Sequence, residues 1–207
     1  GGFGTREKHI LKSTPKPLAI INGKPFLYWL IQDLKSHGAE DIVLLTHYRH
    51  DCFLDFAQQH SDENCAIRCI REEKPEGTGG AILSAIKKLG IEDQNLVVVN
   101  GDTFVEIDYP QLLFGLNENC EIVMAAKNVP DASRYGSLIL NKDSMLTELK
   151  EKVTGKGFVN AGVFAIKSRL FYELPIKNRP LSLEMDIIPL ILKGNKNIKV
   201  ENIKGKF

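Results

Sequence analysis

Through the first half of the chain, apolar runs too short to be helices alternate with longer segments of helical periodicity. The run Leu96-Val97-Val98-Val99 is the plainest of them. It is short, continuous and apolar, as expected for a parallel strand covered on both faces. Ile42-Val43-Leu44-Leu45-Thr46 and residues 66–70 read the same way. Between these runs lie helical stripes. Residues 25–37 carry Phe26, Leu27, Trp29, Leu30, Ile31 and Leu34. Pro25 suits the first turn of that helix, and Gly38 suits the position just past its end. A shorter helix is expected at 51–60. Another is expected at 79–89, where Ile82, Leu83, Ile86 and Leu89 share one side and Gly90 is the stop. Such alternation predicts an α/β fold whose sheet is mixed but mostly parallel.

The texture changes after about residue 120. Residues 121–126, 137–140, 146–148 and 158–166 read as strands joined by short turns, and 181–192 as a helix. No repeat, low-complexity segment or linker interrupts the chain. One domain over 1–207 is expected, with a parallel half followed by a mixed half. The chain opens on glycines with no strand before them and closes just after a new apolar run. A first strand and a C-terminal segment are therefore expected to be missing from it.

Composition narrows the function. Lys and Arg total 27 against 26 Asp and Glu, a net charge of +1. That balance argues against broad capture of nucleic acid or an anionic membrane. No run approaches the roughly 20 apolar residues that span a bilayer. Cys52, Cys65, Cys69 and Cys120 form no CxxC pair and read as free thiols, which favours a cytoplasmic protein.

Several segments have the right chemistry for a phosphorylated ligand. Gly1-Gly2-Phe3-Gly4-Thr5-Arg6 is a glycine-rich loop ending in a cation. Glycines let backbone N–H groups approach phosphate oxygens. The spacing matches neither a dinucleotide fingerprint nor a Walker loop, and alone it reads equally as a chain end. In Pro15-Lys16-Pro17-Leu18 two prolines stiffen the chain around one lysine, although a lone motif of this kind also suits a surface turn. Asn100-Gly101-Asp102 follows directly on the apolar strand, where open α/β sheets bind ligands. Asp102 is placed to hold Mg²⁺ with substrate phosphates, or else to cap a turn. Glu76-Gly77-Thr78-Gly79-Gly80-Ala81 opens a helix, and its backbone donors could face an anion or a base. His47-Tyr48-Arg49-His50 lacks a third well-spaced ligand for zinc and reads as a surface loop. Ser13 and Ser84 have no nucleophile setting.

Taken together, the motifs resemble those of the sugar-1-phosphate nucleotidyltransferases, or sugar-nucleotide pyrophosphorylases. The matching elements are GGFGTR (1–6), PKPL (15–18), GKPFL (23–27), EGTGGA (76–81), NGD (100–102), RYG (134–136), EK (151–152) and NAG (160–162). They occur in the family's order and cover nearly the whole chain. The later motifs are most like those of bacterial heptose- or mannose-1-phosphate guanylyltransferases. The resemblance implies a Rossmann-like three-layer α/β/α nucleotidyltransferase fold and a Mg²⁺-dependent reaction. In it, a sugar 1-phosphate attacks the α-phosphorus of an NTP, GTP being the first choice, and NDP-sugar and pyrophosphate result.

The resemblance also implies roles. Gly1, Gly2, Gly4 and Thr5 would line the nucleotide, together with Gly77, Thr78, Asn100 and Gly101. Arg6 would neutralise the β- and γ-phosphates, Lys16 the α-phosphate, and Asp102 would hold the metal. Tyr135, Gly136, Glu151 and Asn160 would shape the sugar pocket, and Lys152 would meet the sugar phosphate. The family's second metal-binding Asp, in a segment resembling DIGTP, does not occur here, and Glu7 stands where many relatives have Leu. A homo-oligomer is compatible with the sequence. The alternatives are CTP, UTP or dTTP as donor, a phosphorylated acceptor that is not a sugar, or a non-catalytic sugar-nucleotide sensor on the same fold. Retention of Arg6, Lys16 and Asp102 favours catalysis, since a binder has no need to stabilise a leaving group.

Overall fold

The computed structural model describes residues 14–133, 136–151, 153–175 and 180–205. The chain divides into two compact units, one comprising residues 1–88 with 178–182, the other residues 89–177 with 183–207.

In the first unit, Lys16–Leu18 form a 3-10 turn that runs into a two-stranded hairpin, β1 (Ile20–Ile21) and β2 (Lys24–Pro25). Asn22 and Gly23 connect them with φ of +50° and +77°. Two successive positive φ values are what a tight hairpin needs, and Asn-Gly supplies them with least strain. Helix α1 (Phe26–Ser36) starts directly after Pro25 and buries Leu27, Leu30 and Ile31, one face at the i, i+3, i+4 spacing. Strand β3 (Asp41–Thr46), helix α2 (His50–His60) and strand β4 (Ala66–Arg71) follow, and β3 and β4 pair in parallel from Asp41↔Ala66 to Thr46↔Arg71. Helix α3 (Gly77–Leu89) buries Ala81, Ile82, Ala85 and Ile86.

Gly77 begins α3 with φ +75°, and a Cβ there would lie 2.7 Å from the carbonyl carbon of Leu181. Gly38 has a similar φ of +88° but open space around it. Gly77→Ala is therefore expected to lower the urea midpoint much more than Gly38→Ala. The backbone strain common to both is about 1–3 kcal/mol, and only Gly77 adds a clash with main chain. Equal midpoints would show that the Leu181 segment yields freely.

The second unit is built on β9 (Gly157–Lys167), which follows β5 (Asn95–Val99), α4 (Tyr109–Phe114), β6 (Ile122–Val129), β7 (Gly136–Leu140) and β8 (Leu146–Glu151). The unit closes with α5 (Leu170–Glu173), a π-helical turn at Leu183–Ile187, α6 (Ile188–Lys193) and β10 (Ile198–Asn202). Among the described residues, the sheet runs β10-β6-β9-β7-β8, with β5 also on β9. β10 is parallel to β6, and the other pairs are antiparallel. Val163, Phe164, Ala165 and Ile166 of β9 are wholly buried, which explains its continuous apolar run. Burying each of the larger side chains contributes about 1.5–3 kcal/mol.

The fold is the mixed α/β arrangement expected. Two local expectations differ. The described partner of β5 is β9, antiparallel, and Leu96 to Val99 are half-buried. An apolar run reports burial and is silent on the direction of its neighbour. The helix expected over 181–192 is a π-turn followed by the short α6. Pro189 lacks the N–H that would reach back to Met185, so the preceding turn is widened, and Leu181 stays outside it.

Candidate active site

Asn100-Gly101-Asp102 leaves the C-terminal end of β5 and is anchored on β9. The Asn100 N–H donates to the Gly162 carbonyl at 2.8 Å, and the Thr103 N–H returns to the Asn100 carbonyl at 3.2 Å. The loop thus has a fixed backbone, and the Asp102 side chain it carries is exposed. Gly162 has φ +74°, and a Cβ there would lie 2.8 Å from Nδ2 of Asn100. Only glycine brings the two strands' backbones this close. β9 bulges here, because Asn160 pairs with Ala126 while Phe164 pairs with Met124.

Asn160 sits in the same bulge. Its Oδ1 accepts the Gly162 N–H at 2.8 Å, and its Nδ2 donates to Oε1 of Glu184 at 3.4 Å. Glu184 belongs to the π-turn and was missed from the sequence, where Pro189 within an apparent helix was the available signal. The strands next to β9 extend this row. Gly136 opens β7 opposite Glu151 at the end of β8, and the adjacent pair Ser137↔Val159 joins β7 to β9. Three of the positions expected to shape a sugar pocket, Gly136, Glu151 and Asn160, therefore lie side by side on neighbouring strands. Asn100 meets that row through Gly162.

In the first unit, the Leu18 N–H bonds to the Pro15 carbonyl at 2.8 Å and the Ala19 N–H to the Lys16 carbonyl at 3.0 Å. These bonds, with two prolines, set the backbone of Lys16 while leaving its side chain exposed. Gly77 and Thr78 begin α3, but the donors just after them are already engaged. The N–H groups of Gly79 and Gly80 both bond to the Leu181 carbonyl, at 2.9 and 3.2 Å. An anion at this helix start would therefore not meet those two amides. The Glu76 carboxylate is itself held by the Ser84 hydroxyl. Gly1, Gly2, Gly4, Thr5, Arg6, Tyr135 and Lys152 lie outside the described residues.

Other chemistry finds no support. Nδ1 of His47 is bonded to the Glu72 carbonyl at 2.8 Å, and Nδ1 of His50 to the Thr46 hydroxyl at 2.6 Å. Among the described residues, no three His, Cys, Asp or Glu side chains cluster as metal ligands. The four cysteines are unbridged, and burial pushes the Cys65, Cys69 and Cys120 thiols up, away from thiolate chemistry. Among the described residues, no helix is long and apolar enough to cross a membrane.

The bulge gives a direct test. Gly162→Ala must move Asn100 and with it Asp102, and misplacement of about 1 Å can cost about 10²-fold in turnover. We expect kcat to fall on that scale while the protein stays folded by circular dichroism. Unchanged kcat would separate Gly162 from the site.

The sequence model of the nucleotidyl transferase family matches residues 1–203 of this chain. A D-glycero-alpha-D-manno-heptose 1-phosphate guanylyltransferase of Campylobacter jejuni is 35% identical over 182 residues, covering 86% of this chain and 78% of that protein. A probable mannose-1-phosphate guanylyltransferase of rice, Oryza sativa, is 29% identical over 92% of this chain but only 54% of its own length. A crystal structure of HddC from Yersinia pseudotuberculosis complexed with GMP-PN superposes with a TM-score of 0.79 at 31% identity, covering 93% of this chain and 83% of that one.

Proposed function

The chain belongs to the nucleotidyl transferase family, and from that premise we propose that it transfers a guanylyl group from GTP to a heptose 1-phosphate, giving GDP-heptose and pyrophosphate. Heptose is preferred to mannose because the relative named for heptose 1-phosphate is 35% identical to this chain and the one named for mannose 1-phosphate 29%. The observation that carries a catalytic reading is the anchoring of Asn100-Gly101-Asp102 on Asn160-Ala161-Gly162. It joins the strand end expected to meet the nucleotide to the strand expected to meet the sugar. The unbridged thiols support a cytoplasmic location.

In this reading an oxygen of the sugar 1-phosphate forms a bond to the α-phosphorus of GTP. The bond from that phosphorus to the α,β-bridging oxygen breaks, and pyrophosphate leaves with the electron pair. Such transfers demand alignment and charge neutralisation more than covalent help. Lys16, on its restrained turn, faces the α-phosphate. Arg6 takes the leaving phosphates, and the glycine loop 1–4 supplies backbone donors. Gly77 and Thr78 approach the base and ribose. Gly136, Glu151 and Asn160 hold the sugar with Tyr135, while Lys152 meets its phosphate.

The residues present fit Mg²⁺. Asp102 is a single exposed carboxylate on a fixed loop, and this ion is commonly held by one or two carboxylates with substrate phosphates and water. Asp102 would hold it, and its contribution when bound is neutralisation of triphosphate charge.

The test is product formation. GTP, CTP, UTP or dTTP is supplied with heptose 1-phosphate or mannose 1-phosphate, and NDP-sugar is measured by anion-exchange chromatography alongside pyrophosphate release. GDP-heptose is the expected main product. Faster turnover with another NTP, or nucleotide binding with no turnover at all, would overturn the reading.

A further inference from the structure

We propose that Glu184 is a positioning residue of the sugar pocket, acting through Asn160 to set affinity for the sugar 1-phosphate. The inference rests on the functional reading above and adds a residue to its sugar site. A side-chain amide can turn over and exchange its donor and acceptor ends, so a pocket that uses one must hold it in a single orientation. Asn160 is held from both ends. Its Oδ1 accepts the Gly162 N–H at 2.8 Å, a group that can only donate. Its Nδ2 donates to Oε1 of Glu184, a carboxylate oxygen that can only accept when ionised. The flipped amide would set donor against donor and acceptor against acceptor. The second N–H of Nδ2 is thereby aimed consistently, which suits it to a sugar hydroxyl.

The backbone around Glu184 supports such a placement. It lies in the π-turn Leu183–Ile187, half-buried between the buried Leu183 and Ile187. Widened turns of this kind often occur where a side chain is set for function. The bond to Asn160 is long, at 3.4 Å. Bonds in binding sites commonly tighten once substrate is present.

Steady-state kinetics with GTP and heptose 1-phosphate on the whole protein decide the matter. Glu184→Ala is expected to raise the KM for the sugar 1-phosphate about tenfold, the scale of one hydrogen bond to a charged group. The KM for GTP should stay within about twofold, since that bond is made only on the sugar side. Glu184→Gln retains an acceptor oxygen and should recover most of the affinity. On an Asn160→Ala background, Glu184→Ala should add nearly nothing, because the two act as one unit. If Glu184→Ala does not fold, Glu184→Asp carries the same test, since it withdraws the carboxylate by one methylene and must raise the sugar KM. A normal sugar KM in the alanine or aspartate variant overturns the inference, as do a glutamine variant no better than alanine and additive losses in the double variant. Absence of GDP-sugar from the wild-type protein overturns the functional reading itself and this inference with it. Wild-type turnover with an insensitive Glu184 overturns the inference alone.

Discussion

Asp102→Asn is expected to lower kcat by about 10²–10³-fold, the scale seen when one group aimed at developing charge is removed. The carboxylate is exposed at the tip of Asn100-Gly101-Asp102, so the substitution removes a charge and leaves the packing alone. Exposed substitutions of this kind change stability by no more than about 0.5 kcal/mol. The melting temperature should therefore stay within a few degrees while turnover collapses. The half-saturating Mg²⁺ concentration should rise as well, because an amide is a weaker ligand than a carboxylate. Wild-type kcat for the variant at saturating Mg²⁺ would remove Asp102 from the metal site. A collapse of turnover together with the melting temperature would make its role structural.

The second large effect separates two cations. Lys16 sits in a 3-10 turn whose backbone is closed by the Leu18 and Ala19 amides and flanked by Pro15 and Pro17. Its backbone is thus set before substrate arrives. Negative charge builds on the α-phosphate oxygens during transfer, so a lysine held there gains interaction at the transition state. Lys16→Ala should lower kcat by about 10²-fold or more with little change in the KM for GTP. Arg6, assigned by its motif, would offer a fork of donors to the β- and γ-phosphates. Arg6→Ala should therefore raise the KM for GTP as well as lower kcat. A Lys16→Ala enzyme with normal kcat and only a raised KM would mean that the lysine anchors the nucleotide and takes no part in the transition state.

Much of the architecture is legible in local windows of sequence. The bounds of α1 follow from Pro25 at one end and Gly38 at the other, and its buried face from the spacing of Leu27, Leu30 and Ile31. The strand ending at Val99 and the turn-forming Asn-Gly-Asp after it are equally local. Even the β1–β2 hairpin was available, since Asn22-Gly23 is a strong turn signal, although its two-residue strands are too short to show an alternating pattern. Helix α4 likewise announces itself by Asp108, whose side chain caps the Gln111 N–H at 2.9 Å, and by Pro110 in its first turn.

Short windows of sequence thus carry the α/β class, the order of most elements and the residue types suited to a phosphorylated ligand. These depend on burial and turn preference, which neighbouring residues report. It takes the folded chain to lay β5 antiparallel on β9, to bring Gly162 against Asn100 and to carry Glu184 to Asn160. Only the fold, too, set the Leu181 carbonyl on the Gly79 and Gly80 amides, closing donors that the glycine-rich loop seemed to leave open. Each of these joins residues far apart in the chain. The hydrogen bonds form because packing has already removed water from both partners, and no local window of sequence carries the identity of a distant partner.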